Sequence, residues 1–298
     1  MLVNDTHKFL MTALARRFSA DHLHVTDLPY RFCSWALDDP ENTRMWFNAH
    51  GELLAWAVLQ TPFWLLDYVC DPQDSALHRE ILAWGDERAR QALDTPYGHP
   101  AWFVNVFSDQ TGRQRDLEAA RFTSQANVSE DSWTKVFMLR PAEPPVKCYR
   151  LPAGFTVRPL AGESEVEAYG SLHRAVFETK NMTAEWRSRT LQHPDYLPDL
   201  DIVVAAPDGR LAAFCVGWFD PSSGRGQIEP LGCHQDFRQY ALGRVALAEV
   251  LRRLQAHGAQ QIYVETDHYR NTAFALYEHM GFRVTREVLV YRKDYGAV

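Results

Sequence analysis

The sequence predicts an α/β (α+β) fold built of two tandem domains, each a mixed, mostly antiparallel sheet flanked by helices. Three observations carry this expectation. The chain has 298 residues, more than one hydrophobic core usually organises. The stretch "RPAEPPVKCYRLPAG", Arg140–Gly154, holds four prolines, which suit neither a helix interior nor a strand ladder. Strand-like and helix-like segments also follow in one shared order on both sides of it. The division expected is 1–140, a proline-rich connector 141–154, and 155–298.

In the first half, "TRMWFNAHGELLAWAVLQ" (Thr43–Gln60) reads as a hairpin around a His-Gly turn. "FWLLDYVCD" is a strand, "LHREILAWGDERARQAL" a helix, and "AWFVNVF" a strand. "GRQRDLEAARF" is a short helix and "WTKVFMLR" a closing strand, while "PYRFCSW" reads as a loop. In the second half, "FTVRPL" (Phe155–Leu160) alternates as a strand, and Ser164–Phe177 is an amphipathic helix with Ser164 as its expected N-cap. Asp201–Phe219 is a hairpin turning at Pro-Asp-Gly. Gly226–His234 is a strand interrupted by Pro230, which implies a bulge, an edge or a splayed end. A helix over Gly243–Ala256 follows, then a buried strand over Gln261–Thr266. Asn271–Gly281 is a helix that stops at Gly281, and Val288–Tyr295 is a last strand. "LEAARF" (Leu117–Phe122) aligns with "YEHMGF" (Tyr277–Phe282), and "VCD" (Val69–Asp71) with "GCH" (Gly232–His234). Both matches fall at an offset of about 160 residues, as a duplicated domain requires.

Composition narrows the function. Net charge is −7, which argues against a nucleic-acid partner. The first 140 residues carry 13 basic against 19 acidic side chains, and the remainder 18 against 19. No apolar run approaches the roughly 18 residues of a membrane span, so no membrane partner is expected. Five cysteines without a close CxxC pair read as reduced thiols of a cytoplasmic protein. His22-x-His24 has the spacing of half a metal site, with no further cluster to complete it, so no metal is expected.

The segment "FRQYALGRVAL" (Phe237–Leu247) bears on chemistry. A helix N-terminus offers unpaired N–H groups and partial positive charge, which suit a phosphate wherever small residues let it approach. Ala241 and Gly243 are small, Arg238 and Arg244 are cationic, and Gln239 is a donor. The alternative is a plain helix start with one glycine.

Here the sequence resembles the GNAT superfamily of acyl-coenzyme A N-acyltransferases. The signature Q/R-x-x-G-x-G/A is matched by Arg238-x-x-Ala241-x-Gly243, with alanine in place of the first glycine. A second motif is matched by Asn271, Ala273, Tyr277 and Gly281-Phe282. The resemblance is strong over Phe155–Tyr295 and architectural over 1–140, and the tandem arrangement is similar to the mycothiol synthase type. It implies acetyl-coenzyme A (acetyl-CoA) as co-substrate and transfer to a primary amine on a small molecule. It also implies a central strand, Gln227–His234, splayed from its neighbour. The backbone of Leu231 would meet the thioester, that of Cys233 and Gln235 the pantetheine arm. The run Arg238, Gln239, Tyr240, Ala241, Leu242, Gly243 and Arg244 would take the pyrophosphate, with Asn271 and Ala273 on the other side. Tyr277 stands where the family's proton donor to the leaving thiolate stands. Glu229 is the candidate base and His234 its rival, while Cys233 reads as a buried structural thiol rather than a nucleophile. Two other readings stay open: acetylation of protein or peptide amines, and a non-catalytic acyl-CoA sensor.

The first half lacks these features. No glycine pair follows "DYVCD", Leu117 stands at the Tyr277 position, and Arg121 at the Gly281 position. The expectation is a degenerate repeat. Seven of the nine tryptophans lie there, read as core or as an aromatic, acidic pocket for a cationic acceptor. Asn181–Asp201 is the expected part of the acceptor wall.

Overall fold

The structure is a computed structural model that describes residues 3–128, 133–143, 145–268 and 271–296, without the side chains of Asn127 and Asn271. Contacts divide the chain into two compact units. One comprises Met1–Phe137, Glu265–Arg270 and Arg286–Val298, and the other Met138–Val264 and Asn271–Thr285. Residues 286–296, which the sequence division places with the second half, thus fall in the first unit.

The first unit opens with α1 (Asp5–Arg17), held by a capping box in which Asn4 and His7 satisfy each other's backbone N–H. A short helix α2 (Leu28–Phe32) follows where a loop is expected; proline in its first turn, where an N–H is dispensable, starts it. Strands β1 (Thr43–Phe47) and β2 (Leu53–Gln60) form the predicted hairpin. Gly51 supplies the left-handed residue of its turn. Next come β3 (Leu65–Cys70), α3 (Ser75–Ala92), β4 (Ala101–Phe107), α4 (Thr111–Ala119), and a two-residue strand β5 (Thr123–Ser124). Strand β6 (Thr134–Pro141) leads into the second unit.

The second unit contains β7 (Thr156–Pro159), α5 (Val166–Phe177), α6 (Ala184–Leu191), β8 (Asp201–Ala205), β9 (Leu211–Asp220) and β10 (Arg225–Cys233). They are followed by α7 (Leu242–Ala256), β11 (Gln261–Asp267) and α8 (Asn271–His279). Strand β12 (Arg283–Asp294) leaves this unit after Thr285 and pairs antiparallel with β4 of the first. The expected cap of α5 is corrected: a 3-10 turn over Gly162–Glu165 precedes the helix, and the Ser164 hydroxyl donates back to the Ala161 carbonyl.

Each unit, taken by itself, has the same sheet logic. In the first the order is β1-β2-β3-β4-β12, and in the second β7-β8-β9-β10-β11. Antiparallel strands meander up to β3 or β10, and the next strand, β4 or β11, is a parallel neighbour reached through a helix, as a parallel pair requires; in the first unit β12 then adds antiparallel to β4. That parallel pair hardly forms. β3 meets β4 only at Leu65↔Phe103, and β10 meets β11 only from Arg225↔Gln261 to Gln227↔Tyr263. The strands then diverge, so each unit contains a gap in its sheet.

Helix ends repeat as well. After α8, Phe282 N–H bonds the Tyr277 carbonyl and Gly281 N–H that of Glu278, with Gly281 at φ +90°. After α4, Phe122 N–H bonds the Leu117 carbonyl and Arg121 N–H that of Glu118, with Arg121 at φ +65°. Both are Schellman motifs, which turn the chain through a left-handed residue. In the first unit a side chain occupies a position that glycine fills without strain.

The cores follow the sheets. Trp46, Trp102, Leu66, Ile81 and Val104 bury one face of the first sheet, and Met11, Phe32, Trp56 and Val69 the other. In the second unit α7 buries Val245, Leu247, Val250, Leu251 and Leu254. Truncating one such leucine to alanine costs about 2–5 kcal/mol. Among the described residues, no helix is long and apolar enough to cross a membrane.

Candidate active site

The gap in the second unit is made by β10. Ile228 pairs with Gly217 of β9, yet Leu231 pairs with Cys215, so β10 spends one extra residue at Glu229-Pro230. This is the bulge that Pro230 predicts, since proline cannot donate to a ladder. The Trp218 indole N–H holds the bulged Glu229 carbonyl at 2.7 Å. Beyond the bulge, His234 N–H bonds the Ala212 carbonyl of β9. Amides alternate along a strand, so those of Leu231 and Cys233 point away from β9, toward the side from which β11 has departed.

Below the gap the chain makes a 3-10 turn, Gln235–Tyr240, capped by His234, whose ring accepts from Asp236 N–H. His234 is therefore engaged as a cap. The Gln239 side-chain amide donates to the Asp236 carbonyl at 2.9 Å, so this expected donor is used within the turn. Tyr240 is exposed and packs against Phe155. Ala241 then adopts a left-handed conformation (φ +53°), and α7 starts at Leu242, one residue before the expected Gly243.

The start of α7 lacks the usual ways of satisfying a helix N-terminus. Its N-cap has no side-chain hydrogen bond, and its first turn has no acidic residue. It carries Arg244 instead, and Arg238 lies in the turn before it. Neither arginine side chain makes a hydrogen bond or ion pair with a described residue. Arg244 Nε is buried without a partner. A cation here opposes the helix dipole, so the free protein has uncompensated positive potential at this point. Gly243 adds access: a Cβ built there would meet only Cys233 Cβ, at 3.9 Å. Packing does not demand a glycine. The Cys233 side chain is half-buried rather than buried; burial raises its thiol pKa, while the Gly243 N–H and the Arg238 charge oppose the shift.

On the other side of β10, Glu229 is half-buried and its charge reaches Tyr169 and Cys215, raising both pKa values on top of the larger effect of burial. Tyr169 belongs to a buried cluster that no sequence motif marks. The Arg187 guanidinium lies 3.7 Å from the Tyr169 ring centre and pairs with Asp201, and Tyr196 donates to Asp201. Among the described residues the hydroxyl of Tyr169, His173 Nδ1 and Asp201 Oδ1 have no hydrogen-bond partner. Burial, with Arg187 and Arg174 nearby, pushes His173 down to about 3, so it is neutral. Arg187 and Asp201 fall in the predicted acceptor wall, where α6 forms.

Tyr277 lies in α8, buried, its ring edge-on against Phe282 at 5.6 Å. Ala273 is half-buried in the same helix. Asn271 begins that helix, and its side chain lies outside the described residues.

The first unit offers a direct contrast, because its own chain fills its gap. His22 and Arg113 both bond the Cys70 carbonyl, at 3.4 and 3.2 Å. Arg113 and Gln110 bond the Asp21 carbonyl. What remains is a cavity of about 40 Å³ lined by His22, His24, Tyr68, Asn105 and Arg113. His24 pairs with Asp27 and Glu265. Among the described residues no group of metal-binding side chains forms.

Residues 166–282 match the model of the Acetyltransferase (GNAT) family. No curated relative matches the sequence. Among solved structures, a tandem GNAT protein from the clavulanic acid biosynthesis pathway, determined without AcCoA, is 12% identical. It matches 100% of this chain and 98% of its own, at a TM-score of 0.66. A GCN5-related N-acetyltransferase from Sphaerobacter thermophilus is 18% identical over 86% of this chain and 82% of its own, at 0.65. One from Kribbella flavida is 16% identical over 90% and 96%, at 0.57. At such identities the likeness is one of fold, and it extends over both units. Residues 166–282 thus carry the match to the GNAT acetyltransferase family, in a chain whose fold resembles that of a tandem GNAT protein.

Proposed function

We propose that the protein transfers an acetyl group from acetyl-CoA to a primary amine on a small molecule, by direct attack in the second unit. The observation that carries this reading is the start of α7: a helix N-terminus without a side-chain cap, with two arginines unpaired among the described residues and an open glycine surface, directly below a gap in the sheet. An anion bound there would relieve the electrostatic conflict. The pyrophosphate of acetyl-CoA is such an anion, and the outward amides of Leu231 and Cys233 suit the amide-bearing arm attached to it. Leu242, Gly243 and Arg244 would hold the phosphates, with Arg238 adding charge.

The neutral amine forms a bond to the thioester carbonyl carbon. The Leu231 N–H stabilises the oxyanion that develops, an interaction that grows toward the transition state. Glu229 takes the proton that the amine must lose. The C–S bond breaks, and Tyr277 donates a proton to the leaving thiolate. The half-buried Glu229 beside the bulge favours a small amine that can enter the gap over a peptide backbone laid across an open surface.

The first unit is proposed to be degenerate, with residues 21–24 lodged where a cofactor arm would lie. No disulfide forms among the five cysteines, which suits a reducing compartment, and we place the enzyme in the cytoplasm. Steady-state assay of acetyl-CoA consumption against a panel of small amines tests the proposal. Turnover with at least one amine, abolished by Glu229→Gln, is expected. Tight acetyl-CoA binding with no turnover on any amine or peptide would leave the sensor reading in its place.

A further inference from the structure

The proline-rich connector contributes a side chain to the start of α7. Tyr149 lies in the irregular stretch 145–155, half-buried. Its ring faces Arg244, whose guanidinium carbon is 4.7 Å from the ring centre. Its hydroxyl is 3.3 Å from His279 Nε2 and 3.5 Å from Met280 Sδ, at the end of α8. Tyr149 is thus held by α8 while its face is presented to α7.

Among the described residues Arg244 has no carboxylate partner, and its Nε is buried and unsatisfied. A guanidinium in that state needs something to hold it, and an aromatic face does so without neutralising it. A carboxylate would also order Arg244, but would cancel the charge that an anion must find. We infer that Tyr149 is a positioning residue for Arg244, keeping this cation aimed and unpaired for the phosphates of the acyl donor. The inference rests on the proposed acetyl-CoA site. It adds that nucleotide recognition there depends on a residue outside the GNAT-matched segment 166–282.

The test is calorimetric titration of the full chain with acetyl-CoA, with ADP, and with S-acetylpantetheine, which lacks phosphate. Tyr149→Ala is expected to weaken acetyl-CoA and ADP by about tenfold, the scale of a half-buried cation–π contact. S-acetylpantetheine affinity should stay unchanged. Tyr149→Phe, which keeps the ring, should stay within about twofold of wild type. In an Arg244→Ala background, Tyr149→Ala should have no further effect, as coupled residues require. Unchanged acetyl-CoA affinity in Tyr149→Ala would overturn the inference. So would equal weakening of S-acetylpantetheine, or additive losses in the double variant, since both mark a purely structural tyrosine. Failure of wild type to bind acetyl-CoA at all would remove the site itself.

Discussion

Gly243 separates the demands of folding from those of binding. It is the second residue of α7 and does not have a positive φ. A methyl added there meets nothing closer than Cys233 Cβ at 3.9 Å, ordinary van der Waals contact. Gly243→Ala should therefore stabilise the protein, because alanine loses less backbone entropy in a helix. The gain is about 0.5–1 kcal/mol, or a rise in Tm of roughly 1–4 °C for a chain of this size. The same methyl stands where a phosphate would approach the first-turn amides. Losing one charge-assisted hydrogen bond costs about 1.5–3 kcal/mol, so the acetyl-CoA Kd should rise at least about tenfold. Gly243→Val should extend the loss. Thermal melts and calorimetric titration on the same samples read the two effects, which have opposite signs. Unchanged affinity in both variants would refute the cradle. A lowered Tm in Gly243→Ala would refute the reading that packing leaves this surface open.

Other expectations follow from the same geometry. Tyr277→Phe keeps the ring against Phe282 and the carbonyl that closes the α8 Schellman motif, so Tm and acetyl-CoA affinity should hold. Turnover should fall about 10²–10⁴-fold, the usual contribution of a positioned acid; an equal loss of affinity would mark a packing role instead. Arg121 and Ala241 adopt left-handed conformations at φ +65° and +53°. Arg121→Gly and Ala241→Gly should each stabilise by about 1 kcal/mol in urea unfolding, and destabilisation by either would contradict the strain assigned to it. His78, buried against Tyr68 and Asp116, has its pKa lowered to about 4, chiefly by burial. The unfolded chain takes up this proton first, near pH 6.5. Stability from His78 is thus complete above that pH and is lost as pH falls toward 4. His78→Gln should flatten the slope of unfolding free energy between pH 6.5 and 4, and an unchanged slope would place the loss elsewhere.

Much of the fold is legible in the sequence because its signals are local. The His-Gly and Pro-Asp-Gly turns mark hairpins, Pro230 marks the bulge, and "GF" after Tyr277 marks the Schellman stop. The aligned "LEAARF" folds into the same helix end, with Arg121 standing in for glycine. What was hidden depends on distant partners. The helices α2 and α6 are short, and tertiary packing decides them more than propensity does. The plugging of the first gap by residues 21–24 needs Arg113 and Cys70, far along the chain. β12 reads as a strand, but nothing local says that it pairs with β4. At the site, the spacing of Arg238, Ala241 and Gly243 points to the cradle, whereas Tyr149, Trp218 and the cluster of Tyr169, Arg187 and Asp201 carry no motif. A tyrosine isolated in a proline-rich connector was the one available hint of the first of these.

If the start of α7 is the chain's acyl-donor site and the first unit has none, each chain binds one acyl-CoA. Calorimetric titration of acetyl-CoA into the intact protein tests it most directly, with stoichiometry read alongside affinity. One site per chain is expected, abolished by Arg238→Glu. Two sites per chain would contradict the degenerate first unit, and no binding would reduce the start of α7 to an ordinary helix end.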